Sequence, residues 1–155
     1  TMATFGGQNV GAGRLDRLGR GLRSAVTLGA IYSALILVVL IFFGRDLILL
    51  FVNASEVTVI AQAKQFLVTN AAFYLMLALV NIVRFLIQGM GFSGFAVFAG
   101  VFEMVARALV GLVFVPIFGF TAACFASPLA WIFADCFLIP AFFHCRKKLM
   151  RRVCQ

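Results

Sequence analysis

The residues best placed to do chemistry in this chain are three ionisable side chains, Glu103, Arg107 and Asp135. They are the only charged residues between Arg84 and Arg146, and most of their neighbours are apolar. A charge near the middle of a bilayer costs about 2.5–3.5 kcal/mol on insertion scales, so it is retained where it has a partner or a task. Glu103 and Arg107 are spaced i, i+4 with the acid on the N-terminal side, which puts them on one helix face in the favourable order. Asp135 lies in the next apolar run and can meet them if the two runs pack as antiparallel neighbours. One arginine cannot neutralise two carboxylates. The pattern therefore predicts either an ion pair that pins two helices together, or an acid left free for a proton, a cation or a cationic substrate. Asn70 and Asn81 can hydrogen-bond between helices or touch a substrate. Tyr74 and Trp131 can offer aromatic faces to a cation or simply pack against their neighbours.

Long apolar helices must hold these groups in place. Hydrophobic residues make up 64 % of the chain and charged residues 12 %, against about a quarter charged in an ordinary soluble domain. A water-soluble core of this size cannot hide so much apolar surface, so lipid is the expected solvent. Four runs are long enough to cross about 30 Å of hydrocarbon: residues 24–43, 65–88, 95–115 and 121–143. Arg45 and Asp46 close the first, and the short run Leu47 to Val52 suits the interface. Asn53 or Ser55 can cap the next helix. Arg84 lies far enough from Lys64 to snorkel to the opposite surface and is not expected to be buried. Gly89, Gly91, Ser93 and Gly94 form a turn, Pro116 and Gly119 end the third span, and Pro128 and Pro140 are expected to kink or break the fourth. The predicted fold is an all-α polytopic membrane helix bundle.

Basic residues collect at both ends of this set. Arg14, Arg17, Arg20 and Arg23 alternate with Leu15, Leu18 and Leu22, which predicts a basic interfacial helix over residues 14–23. Arg146, Lys147, Lys148, Arg151 and Arg152 belong to a basic tail, residues 144–155. A net charge of +8 is then explained by the positive-inside rule and anionic lipid, and nucleic acid is not an expected partner. An even number of spans puts both ends of the segment on one side, expected to be cytoplasmic. Cys124, Cys136, Cys145 and Cys154 form no Cys-x-x-Cys pair and read as small hydrophobes. No catalytic residue, cofactor or metal site is expected, since no nucleophile–base or ligand cluster occurs.

Several motifs together resemble one family. Gln8-Asn9-Val10-Gly11-Ala12-Gly13-Arg14 before an Arg-rich helix is similar to a hallmark of the multidrug and toxic compound extrusion (MATE) family. Leu50-Phe51 with Ser55-Glu56-Val57, Arg84 with Gln88-Gly89-Met90-Gly91, Glu103-Met104-Val105-Ala106-Arg107 and Pro128-Leu129-Ala130-Trp131 follow in that family's order. The resemblance covers the whole chain. It implies most of the C-terminal lobe of a twelve-helix transporter, with residues 1–13 as the end of a preceding helix and the N-terminal lobe of the same chain as partner. It also implies a secondary-active antiporter that exports organic, often cationic, drugs or toxic metabolites in exchange for Na+ or H+ from the plasma membrane, here expected to be a bacterial inner membrane. One departure stands out. Some sodium-coupled members carry an aspartate within the tenth helix, whereas Phe73 to Leu79 holds no acid. The alternatives are a lipid-linked saccharide flippase of the same superfamily and a stand-alone four-helix membrane subunit. The flippase would need several deep cations, and the sequence offers Arg107 alone.

Overall fold

A computed structural model describes residues 1–153. Every regular element among them is helical: α1 (Met2–Gly11), α2 (Asp16–Leu49), α3 (Val57–Ala72), α4 (Tyr74–Gly89), α5 (Ser93–Leu109), α6 (Val115–Phe118) and α7 (Phe120–Val153). An apolar chain in lipid has no water to satisfy its backbone, so it closes its hydrogen bonds within helices. By length and composition α2, α5 with α6, and α7 can each cross a bilayer, and α3 with α4 makes a fourth span if the bent pair counts as one. The all-α helix bundle expected from the sequence is what forms. Cys154 lies outside the described residues.

α2 shows why lipid must surround this bundle. Leu28, Ile31, Leu35, Val38 and Phe42 lie exposed along it, while Leu18, Ser33, Leu40, Gly44 and Ile48 turn inward. An apolar stripe of that length facing water would bind other molecules. The basic segment 14–23 and the apolar run 24–43 are one continuous helix here, and it extends past Arg45 and Asp46 to Leu49. The first half of the run Leu47 to Val52 is thus the end of α2.

Two sequence expectations fail at helix ends and breaks. The N-cap of α3 is Glu56, and neither Asn53 nor Ser55 makes a capping bond. α7 continues through Pro128 and Pro140 without a break. A proline removes one backbone donor, but packed neighbours let a membrane helix absorb that loss. The break falls elsewhere: α3 and α4 meet at Phe73, bent by 50°. Phe73 has φ −106° and ψ 10°, just outside the helical range, and one such residue is enough to turn the span.

The third span is also irregular. Between α5 and α6 lies a π-helical turn, Val110–Phe114. Pro116 follows it within the first turn of α6. Its ring would meet the carbonyl of Leu112 in α register and it has no N–H to offer, so a wider turn just upstream relieves both problems. Gly119 then reverses the chain at φ 62°, ψ −143°, a conformation nearly restricted to glycine.

The core lies where α4, α5 and α7 pack together, with α2 leaning on α3 and α4, and α1 on α4. Val80, Val83, Ile87, Ala99, Trp131, Ala134, Leu138 and Phe142 fill it. On α7 these residues recur every three or four positions, so one face of the helix is buried. α1 approaches α4 backbone to backbone: a Cβ added to Gly89 would collide with the Ala3 carbonyl, and one on Gly6 would lie 3.0 Å from the Leu86 carbonyl oxygen.

Candidate functional site

Three helices bring four charges together. α4 contributes Arg84, α5 contributes Glu103 and Arg107, and α7 contributes Asp135. Arg84 donates from Nη2 to Glu103 Oε1, and Arg107 donates from Nη2 to Glu103 Oε2 at 3.4 Å. Glu103 therefore bridges two guanidinium groups, one from the neighbouring helix and one from the next turn of its own. The two bonds differ in setting. The Arg84 and Glu103 side chains are 21 % and 12 % exposed, whereas Arg107 is 47 % exposed. A pair held away from solvent is screened less, so Arg84 is the main partner of Glu103.

This overturns the expectation that Arg84 snorkels out of the bundle. The sequence count treats the second span as a straight rod from Lys64. In the structure the rod is bent at Phe73, and Arg84 lies on a separate helix that packs beside α5. The Gly turn makes α4 and α5 a hairpin, so a long side chain on one reaches an acid on the other. A lone Glu103 in an apolar helix, with Arg84 just across that turn, is the signal from which the pair could have been found.

The charge count changes with it. Two arginines face two carboxylates, so the expected excess of acid over base is absent from the four. The distribution is still uneven. Both oxygens of Asp135 are buried without a hydrogen-bond partner among the described residues, and the residue is 5 % exposed. Arg84 is near enough for its field to reach Asp135, yet its Nε is likewise buried and unpartnered. Asp135 lies within the buried stripe of α7, one turn beyond Trp131 and beside Ala134. An unpaired polar group in such a place is costly. Among the described residues it is the buried carboxylate left without a bonded partner.

The remaining candidates divide. Tyr74 and Trp131 pack against each other with ring centroids 6.3 Å apart, tying the start of α4 to α7. Asn70 donates to the Phe66 carbonyl at 2.9 Å and, across to α7, to the Cys124 carbonyl at 3.5 Å. Asn81 donates to the Leu77 carbonyl within its own helix at 2.9 Å and, among the described residues, bonds no other helix. The charged cluster is thus brought together, Tyr74 and Trp131 form a second group one turn away along α7, and Asn81 stands apart. Cys124, Cys136 and Cys145 are free thiols, and the described residues contain no group of three His, Cys, Asp or Glu side chains fit to hold a metal.

Long apolar helices closed around a buried charge cluster define a polytopic integral membrane protein. The cluster sits at the helix–helix contacts rather than at the ends, where transporters commonly hold their polar groups. The chain belongs to the MatE family, whose model matches residues 1–113, and so it is a membrane transporter of the MATE superfamily. The matched stretch includes Arg84, Glu103 and Arg107; Trp131 and Asp135 lie beyond it. No curated protein and no solved structure matches the chain.

Proposed function

We propose that this chain is part of a secondary-active antiporter that expels organic, often cationic, compounds in exchange for Na+ or H+. The observation that carries the reading is Asp135, a buried carboxyl with no bonded partner, packed beside an Arg84–Glu103 pair in a chain of a transporter family. Such a carboxyl can hold a proton or a cation, and loss or gain of that ion changes its attraction to Arg84. The pair with Glu103 gives Arg84 a second place to bond, so charge on Asp135 can be traded against helix contacts. Tyr74 and Trp131, one turn away, supply aromatic surface for an organic cation. Four spans supply most of one lobe, and a second lobe completes the cavity. The basic residues at both ends support a plasma-membrane location, as in a bacterial inner membrane, with both ends of the segment cytoplasmic. Arg84 adds a second deep cation, but Glu103 neutralises it, so the flippase alternative gains no free positive charge.

The test uses the intact transporter in vesicles, with an imposed Na+ or H+ gradient and a fluorescent organic cation as cargo. Asp135→Asn is expected to abolish gradient-driven export at normal protein abundance. Full export by both Asp135→Asn and Glu103→Gln refutes the assignment and leaves the cluster a structural one.

A further inference from the structure

At the basic end of the bundle, the start of α2 and the last turns of α7 lie against each other. The Arg146 guanidinium rests over Gly19: a Cβ built there would be 3.6 Å from Nη1 and 3.8 Å from Cζ. Between the two helices runs an open groove of about 510 Å³. Gly19, Leu22, Arg23, Val26 and Thr27 form its α2 wall, and Phe142, Phe143 and Arg146 its α7 wall. The α2 positions follow the spacing of a single helix face.

The groove is graded along its length. α2 enters the apolar layer as its numbering rises, and α7 leaves it, so Arg146 and Gly19 share a level near the surface. Phe142 and Phe143 lie about one turn deeper on α7, and Val26 about 10 Å deeper on α2. Arg146 therefore stands at the mouth, Arg23 about one turn below it at the level of Phe142, and the apolar Val26 deeper than both. Neither Arg23 nor Arg146 has a carboxylate partner among the described residues, and Arg146 Nε is buried without an acceptor. The nearby acid on α2, Asp16, is already bonded to Arg20 at 2.7 Å. No acid lines the groove.

We propose that this groove binds an anionic phospholipid, its phosphate accepted between Arg23 and Arg146 and one acyl chain laid along Val26, Phe142 and Phe143. Charge complementarity and the change from polar mouth to apolar floor select a lipid over a free anion. The site is independent of what the protein transports.

Native mass spectrometry of the intact detergent-purified protein tests it, with palmitoyl-oleoyl phosphatidylglycerol and the matching phosphatidylcholine added in turn. Phosphatidylglycerol is expected to be retained in preference to phosphatidylcholine, and Arg23→Gln with Arg146→Gln to weaken its retention at least tenfold. Arg14→Gln with Arg17→Gln, outside the groove, should change it less than threefold. Arg23→Gln alone, at an exposed position, carries the comparison if the double variant unfolds, with a loss of about fivefold expected. Equal loss from the Arg14 and Arg17 changes would mean diffuse attraction and overturn the site. Displacement of the lipid by inorganic phosphate at equal concentration would reduce it to an anion site and overturn the proposal as well.

Discussion

Removing Arg84 should cost far more than removing Arg107, although both bond the same carboxylate. Arg84→Gln leaves Glu103 nearly buried, with only the half-exposed Arg107 at 3.4 Å to balance it. Removing one partner of a buried pair typically costs about 3–5 kcal/mol, because the other charge stays behind uncompensated. The expected loss is therefore about 3–5 kcal/mol. Arg107→Gln removes the more exposed bond and should cost about 1 kcal/mol or less. The double change Arg84→Gln with Glu103→Gln replaces an ion pair by two neutral amides and should recover at least half of the Arg84→Gln loss. Thermal unfolding of the purified transporter can be followed with a thiol-reactive dye, since Cys124 and Cys145 are buried and become reactive on unfolding. The midpoints should fall in the order wild type, Arg107→Gln, double variant, Arg84→Gln. Equal losses for the two arginine variants, or additive losses in the double variant, would refute the reading that Arg84 is the principal partner.

Two other outcomes are expected in the same unfolding assay. Gly119→Ala should lose about 1–3 kcal/mol, because the turn holds φ 62° and ψ −143° where a Cβ is strained. Asn70→Ala should lose about 0.6–1.7 kcal/mol through its bond to the Cys124 carbonyl, while Asn81→Ala, bonded only within α4, should stay within about 0.5 kcal/mol of wild type.

The architecture was legible because lipid imposes one rule on every span. Twenty uncharged residues from Ser24 to Phe43 admit little except a helix, and the Gly turn near Gly91 fixes α4 and α5 as a hairpin. The pairing of Glu103 with Arg107 was readable from i, i+4 spacing on one helix. Its pairing with Arg84 was not, because that depends on which way a side chain points across two helices and on a bend that residue types at Phe73 do not announce. Prolines misled for a related reason: Pro128 and Pro140 sit inside α7, where packing overrides a local preference. The wide turn at Val110–Phe114 needed knowledge of how Pro116 is accommodated upstream. Asp135 was visible as an isolated acid, but its lack of a bonded partner became apparent only with the neighbouring helices in place.

The joint at Phe73 carries a mechanical consequence. α4 is held on one side by the Arg84–Glu103 pair and on the other by α1, so it belongs to the rigid part of the bundle. α3, with 16 residues, is about 24 Å long and joins α4 through one non-helical residue; it packs along α2 and bonds α7 through Asn70, so turning about this hinge requires those contacts to slide. Each 10° of rotation at that hinge carries Val57 about 4 Å, and closing the full 50° bend would sweep it about 20 Å. A change of two backbone torsions at one end of a span thus becomes a displacement of atomic-diameter multiples at the other, while the charges on α4 stay where they are.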